Sequence, residues 1–288
     1  MGKKVSIIVL NWNGRAYLKG CVESIEKNTD YRPYEVIVVD NGSSDGSVEE
    51  IKKMQKSGLV HKAIFNNENR GFAFANNQGF AAASGGYFFM LNNDTTATKG
   101  WLSNAVKAVE KDERIAAVGS RLVDLPDWGS AKFSENDRDV LTTCGAAMLL
   151  RRSAVEKIGA LDAEEFSPIY GEETDWCYRA GNAGYRIVET DSSRIKHLGS
   201  RDTKRQTGKD WQFELLNTHR LKAMLFNLSA LEFLRHVPGL CLIFLRSIPE
   251  GRLHLLLKSY WNNAKIIGRI MQKRMERGIV AKKIRGEK

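Results

Sequence analysis

Four segments of the 288-residue chain carry side chains able to do chemistry where apolar runs end or helices begin. The first is Asp40, which closes EVIVVD and precedes NGSSDG. A carboxylate at the mouth of a buried strand can accept hydrogen bonds from a nucleotide ring nitrogen or from ribose. The same residue types also build an ordinary strand-to-helix turn, with Asp45 as a helix cap. The second is Asn92-Asn93-Asp94 after YFFML. Asp94 is a hard oxygen ligand, suited to a divalent cation that neutralises a departing diphosphate, or else part of a polar turn. The third is Gly171-Glu172-Glu173-Thr174-Asp175-Trp176, with Arg179 one turn on. Three acids at a helix start favour the helix dipole. One of them, Glu173, would also suffice as a general base for an acceptor hydroxyl. Asp175 and Arg179, at i and i+4, are spaced to pair with each other. The fourth is His197 in RIKHLGS, one of five histidines, which could complete a metal shell beside Gly199 and Ser200.

The elements that must position these residues alternate regularly over the first hundred positions. Val5–Leu10, Glu35–Asp40, Val60–Phe65 and Tyr87–Leu91 are short apolar runs, as strands covered on both faces should be. Between them lie helical stretches over Ala16–Asn28, from Asp45 onward, and over Phe72–Ser84. This alternation predicts an open, mostly parallel sheet with helices on both faces, where ligands bind beyond the carboxyl ends of the strands. The polar segments Asn11–Asn13, Asp40–Asp45 and Asn92–Asp94 all fall at those ends. Further on, Trp101–Asp112 predicts a helix, Ile115–Val123 a strand, Asp124–Asp139 a mobile loop and Thr142–Leu150 a strand. Helices follow over Arg152–Ile158 and Gly171–Ala183, and from Trp211 the pattern is helical to the end, cut by Pro238 and Pro249.

Charge divides the chain at the same place. The net charge is +10, yet residues 201–288 hold 19 Lys/Arg against 7 Asp/Glu, while residues 1–200 hold 25 against 27. A neutral catalytic body with a basic tail that meets an anionic membrane surface or nucleic acid is the expectation. Val237–Leu245 is too short to cross a bilayer. Cys21, Cys144, Cys177 and Cys241 form no CxxC pair and read as buried thiols of a reducing compartment. The apolar run after Lys3 and Lys4 stops at Asn11, too early for a secretory leader, so a cytoplasmic location is expected.

Seven segments, in order, resemble the family 2 glycosyltransferases, which have the GT-A fold: VSIIVLNWNG, YEVIVVDNGSSDGS, NRGFAFANNQGF, FFMLNNDT, CGAAMLLRRSAVEKIG, YGEETDWCYRAGNAGYRI and KHLGS. The pattern is most similar to bacterial rhamnosyltransferase-type enzymes of cell-surface polysaccharide assembly. The resemblance covers about residues 4–200 and implies a catalytic domain over residues 1–205, while the charge and helical patterning make residues 206–288 a basic amphipathic helical tail. It implies donor binding by Asn11, Asp40, Asn92 and Asp94, and a Mg²⁺ or Mn²⁺ ion on Asp94 and His197. Glu173 is the implied base, with Asp175 and Glu172 next in line. Asn92 stands where the family's D-x-D motif has its first aspartate, and Glu173 where aspartate is commoner, which departs from the pattern twice.

The expected activity is inverting transfer of a sugar from a nucleoside diphosphate sugar to a saccharide or lipid-linked acceptor, by an enzyme held peripherally at the inner face of a membrane. A homodimer through the tail leucines is compatible with the pattern. A nucleotidyltransferase is the alternative enzyme, but it wants a Gly- and Lys/Arg-rich loop after the first strand, where this chain has Asn11-Trp12-Asn13-Gly14-Arg15. A nucleotide-binding module with a nucleic-acid-binding tail is the non-enzymatic alternative. The leucine-rich runs of the tail suit an interfacial helix better than a nucleic-acid groove, so no nucleic-acid partner is expected.

Overall fold

A computed structural model describes residues 2–124, 127–198 and 208–287. The four apolar runs form β1 (Val5–Asn11), β2 (Tyr34–Asn41), β3 (Lys62–Asn66) and β4 (Tyr87–Asn92). They pair in parallel, in the order β3-β2-β1-β4. Alternate side chains of β1 leave on opposite faces. Val5, Ile7 and Val9 pack with Leu18, Val22 and Ile25 of α1 (Arg15–Asn28), Ile51 of α2 (Ser47–Lys56) and Trp101 of α4 (Trp101–Glu110). Ile8 packs on the other face with Phe80 of α3 (Phe72–Ala82), Val155 of α5 (Arg152–Ile158) and Trp176 of α6 (Glu172–Asn182). Each such side chain, once buried, stabilises the fold by about 1.5–3 kcal/mol. The buried indoles are satisfied as well: Trp101 donates to Thr29 Oγ1 and Trp176 to the Gly159 carbonyl.

Beyond β4 the sheet is mixed, which narrows the expectation of a mostly parallel sheet to its first half. The order continues β4-β8-β6-β9-β5, with β5 (Thr95–Ala97), β6 (Ile115–Asp124), β8 (Ala147–Arg151) and β9 (Arg186–His197). β8 runs antiparallel to both β4 and β6, while β6 and β9 are parallel. Two expected elements change here. The end of the supposed loop is a strand, β7 (Asp137–Val140), paired with β9. The strand read from Thr142 starts only at Ala147, because Thr143 leaves the ladder to pack over Gly119 and donate to Glu189. Cys21 and Cys177 are buried as expected, but Cys144 and Cys241 are exposed.

The tail folds as α7 (Lys209–Asn227), α8 (Ala230–Ser247), α9 (Leu253–Lys265) and α10 (Ile267–Arg285). Gly199, Ser200 and the boundary between residues 205 and 206 lie outside the described residues. Pro238 does not cut the tail: α8 runs through it, forgoing one backbone donor. The break comes earlier, where Ser229 and Glu232 form a capping box that starts α8.

The tail docks on the catalytic body through Ala223, Met224, Phe226 and Ile270 against Phe166 and Tyr178. Charge reinforces this. Lys222 pairs with Glu165, Arg269 with Glu164 and Glu165, Lys273 with Asp162, and Arg277 with Asp162 and Asp175. Part of the tail's basic excess is thus neutralised by the body itself. Among the described residues, no helix is long and apolar enough to cross a membrane.

Candidate active site

The switch point of the sheet lies at β1, where the chain's order turns from β2 on one side to β4 on the other. Such a point opens a crevice between the outgoing loops. Register places Asn11 opposite Asp40, and Leu10 opposite Asn92. Asn11 donates to Asp40 Oδ2 at 2.8 Å and accepts from Asn93 Nδ2 at 2.7 Å. The second Asp40 oxygen accepts the Ser43 amide at 2.9 Å. Gly14 makes room for this network, since a Cβ there would meet Asn93 Nδ2 at 1.9 Å. Asn11 and Asp40 are both fully buried. The structure therefore puts them in the floor of the crevice, where they fix the loops, whereas Asn92 stands half-buried at its edge. Gly14 and Gly46 hold the N-cap positions of α1 and α2, and Asp45 accepts the first amide of each helix, from Arg15 and Ser47.

A second asparagine network, unread in the sequence, closes the neighbouring strand ends. Asn41 donates to Asn69 and accepts from Asn66 and from the Arg70 amide, which ties the 66–71 loop to β2.

Asp94 and His197 come together at the far side of the crevice. β5 and β6 flank β9, so that His197 stands opposite Thr95 on one side and Asp124 on the other. Asp94 Oδ1 and His197 Nε2 face each other at 3.5 Å, both atoms buried and both without a hydrogen bond. His197 Nδ1 lies 3.2 Å from Asp124 Oδ1. This carboxylate contact fixes the ring and leaves Nε2 for a ligand, the arrangement seen around histidines that bind metals. Burial by itself would lower the His197 pKa, but Asp94 and Asp124 outweigh it and raise the pKa. Two orphaned, converging donors of oxygen and imidazole nitrogen fit a divalent cation whose other ligands come from phosphate oxygens and water. No cluster of three or more His, Cys, Asp or Glu side chains able to hold a metal occurs among the described residues. Asp124 is a site residue that sequence reasoning missed.

The acids of α6 separate into three roles. Gly171, at φ +89°, turns the chain into the helix in a conformation glycine tolerates best. Asp175 is fully buried, paired with Arg179 at 2.9 Å and Arg277 at 2.5 Å, and bonded by Asn227 at 2.8 Å. The expected pairing with Arg179 is present, and the carboxylate faces the tail instead of the crevice. Glu172 is 2 % exposed with Oε2 unpartnered, and burial together with the Glu173 charge holds its pKa well above the usual carboxylate range. Glu173 is half-buried, and desolvation raises its pKa too. Its side chain packs at Gly145, and the next residue, Ala146, accepts the Asn92 amide at 3.0 Å. Glu173 and the Asn92–Asp94 turn thus flank one short segment, residues 144–146.

Glu173 lines a cavity of about 360 Å³ with Thr142, Tyr170 and Tyr178 from the body and Leu216, Arg220 and His236 from the tail. The tail also holds the approach to the helix. His219 Nδ1 lies 2.8 Å from the Tyr170 carbonyl, and Tyr170 has φ +77°, a conformation that neighbours must impose. Burial, with the Lys222 charge, pulls the His219 pKa down to about 4, so the ring is neutral and its Nδ1–H can donate to that carbonyl. Neither His219 nor Arg220 carried a sequence signal, because both sit in a helix otherwise patterned for packing.

The open α/β sheet, with its polar crevice at the switch point, is of the GT-A type. The profile of Glycosyl transferase family 2 matches residues 6–159, and the chain belongs to that family. It is a glycosyltransferase, which removes the nucleotidyltransferase reading.

Glucosyl-dolichyl phosphate glucuronosyltransferase of Haloferax volcanii is 25 % identical over 222 residues, 67 % of this chain and 69 % of the relative. Dolichyl N-acetyl-alpha-D-glucosaminyl phosphate 3-beta-D-2,3-diacetamido-2,3-dideoxy-beta-D-glucuronosyltransferase of Methanococcus voltae is 28 % identical over 138 residues. That match spans 46 % of this chain and only 43 % of the relative. A mannosyltransferase of Pyrobaculum calidifontis, solved with GDP-Man and Mn²⁺, superposes with a TM-score of 0.65 at 17 % identity, over 97 % of this chain and 86 % of its own. That likeness establishes the fold.

Proposed function

We propose that this glycosyltransferase moves a sugar, with inversion, from a nucleoside diphosphate sugar to a hydroxyl of a lipid-linked saccharide in cell-surface polysaccharide synthesis, at the cytoplasmic face of a membrane. The observation that carries this reading is the position of Glu173. It is a half-buried acid of raised pKa, on the wall of a cavity that backs onto the same 144–146 segment as the Asn92–Asp94 turn.

In the reaction, Glu173 takes the proton of the acceptor hydroxyl. The freed oxygen attacks the anomeric carbon from the face opposite the diphosphate, and the bond from that carbon to the diphosphate oxygen breaks. The raised pKa matches a base that must hold the proton it receives. Asp94 and His197 would hold a divalent cation, whose chemistry when bound is to neutralise charge on the diphosphate. Asn92 meets the donor at the crevice edge, while Asn11 and Asp40 hold the floor beneath it. Residues 1–205 supply donor binding and the base; residues 206–288 complete the acceptor cavity and attach the enzyme to an anionic membrane.

The lipid-linked acceptor is supported by the two relatives named for dolichyl phosphate substrates. It is supported also by α8 and α9, which leave Leu231, Leu234, Leu245 and Trp261 more than 60 % exposed. The test is a panel of nucleotide sugars with Mg²⁺ or Mn²⁺, followed by NMR of the anomeric proton in the product. An inverted configuration is expected, and a retained one would sink the single-displacement mechanism.

A further inference from the structure

A second cavity adjoins the first and has the opposite chemistry. It measures about 650 Å³ and is lined by Leu225 of α7, by Phe233, Leu240 and Phe244 of α8, and by Tyr260 of α9. Its walls are almost entirely carbon. Helical spacing on α7 ties the two spaces together. Leu216, Arg220 and Met224 face the Glu173 cavity, while Leu221 and Leu225, each one residue on from Arg220 and Met224, face the apolar groove. Arg220 stands at the divide. Its charge reaches both Tyr178, in the Glu173 cavity, and Tyr260, in the groove. Its guanidinium donates to the Asn217 side chain at 3.4 Å, and no carboxylate lies within ion-pair distance of it among the described residues. His236 lines the same side of the Glu173 cavity.

The groove is also continuous with the exposed apolar face of α8. From Val237 to Leu245 that helix carries no charged residue, and along its whole length only Ser247 is buried. One helix therefore offers a carbon-lined channel inward and a greasy face outward, and the Arg220 guanidinium of α7 stands where the channel meets the catalytic cavity.

We infer that the groove between α7, α8 and α9 seats the hydrocarbon chain of the lipid-linked acceptor, with the acceptor's phosphate against Arg220 and its sugar hydroxyl at Glu173. This rests on the proposed lipid-linked acceptor and assigns its chain to named residues. The groove selects a long chain bearing a phosphate. The outer face of α8 supplies only non-selective attachment to the bilayer from which the chain enters.

The test is photo-crosslinking of the full chain, in detergent micelles, with a farnesyl phosphate analogue bearing a terminal benzophenone, mapped by mass spectrometry. Saturable labelling of Leu221, Leu225, Leu240 or Phe244 is expected, competed by farnesyl phosphate but not by inorganic phosphate. Leu240→Trp, which fills the groove, should reduce labelling at least fivefold, and Arg220→Ala should weaken competition by farnesyl phosphate about tenfold. The wild-type map stands alone should Leu240→Trp fail to fold. Labelling confined to Leu231, Leu234 and Leu242, or spread evenly and without saturation, would overturn the groove as the chain's seat. So would a dimer formed through α8 that excludes the probe. Calorimetric binding of the nucleotide-sugar donor is measured in parallel. A protein that labels in the groove but binds no donor would refute the proposed reaction and leave the lipid site standing.

Discussion

Asp94 Oδ1 and His197 Nε2 face each other at 3.5 Å in a buried setting, and neither atom has a hydrogen bond. The two atoms attract each other only when the ring is protonated, and with a neutral ring both lack a partner. A divalent cation held between them, completed by phosphate oxygens and water, would satisfy both at once.

Asp94→Ala should make donor binding insensitive to divalent metal, measured by calorimetry with and without EDTA. His197→Ala should weaken the metal response less, because a neutral imidazole contributes less than a carboxylate to a hard ion. Asp124→Ala should lower metal affinity about 10- to 100-fold by releasing the His197 ring. Metal dependence that survives Asp94→Ala would reduce Asp94 to a turn residue.

Glu173→Gln should lower the transfer rate at least about 10²-fold, the usual contribution of a positioned base, while donor affinity stays within a few-fold. The pH profile gives an independent readout. Desolvation raises the Glu173 pKa, so the carboxylate is ionised, and able to accept a proton, only above that raised value. The acid limb of kcat/KM should therefore fall at a higher pH than an ordinary carboxylate would give. Transfer by Glu173→Gln within tenfold of the natural protein would move the base elsewhere.

Asp175→Asn should act on stability more than on chemistry. The Asp175 carboxylate is fully buried between Arg179 and Arg277 and lies on the tail side of α6. Removing one charge from such a cluster costs about 3–5 kcal/mol. Thermal unfolding should show that loss, and transfer below the new midpoint should stay within about tenfold. A hundredfold loss in fully folded Asp175→Asn would restore Asp175 as a catalytic candidate.

His219 links stability to pH. Its folded pKa is about 4 against an ordinary 6.5, since burial disfavours the charged ring. With the folded value depressed, its contribution is complete above pH 6.5 and is lost as pH falls from there toward 4. Denaturant midpoints of the natural protein and His219→Asn, compared at pH 7.5 and pH 4.5, should converge at the lower pH. A constant difference would show that His219 is not neutral in the folded state.

Vesicle co-sedimentation tests the outer face of the tail. Full-length protein should bind anionic vesicles at low salt and release at high salt, with each nearby Lys or Arg contributing on the order of 1 kcal/mol. Arg235 and Arg246 are the candidates, flanking the apolar run on α8. Leu234→Glu should lower binding without altering donor affinity. Indifference to every vesicle composition would make the tail purely structural.

The first half of this fold is legible in the sequence because its signal is local. Runs such as VSIIVL and YFFML are buried on both faces, and the polar residues that end them must sit at one edge of the sheet whatever else the chain does. That reasoning reached the pairing of Asp175 with Arg179 and the grouping of Asp94 with His197. It could not reach Asp124. That residue meets His197 only because β9 slips three residues against β6 between the Ser120–Thr190 and Arg121–Arg194 pairs; without the slip, Asp124 would stand opposite Arg194. Strand register is chosen by packing across distant segments, and no local periodicity records it. The tail shows the same division. Its helices and basic excess are local properties, but whether Lys222 meets a lipid or Glu165 depends on where its helix comes to rest against a turn 57 residues away in sequence. Only the assembled fold decides that Arg277 neutralises Asp175, that His219 shapes the turn before Glu173, and that one tail helix divides a polar cavity from an apolar groove.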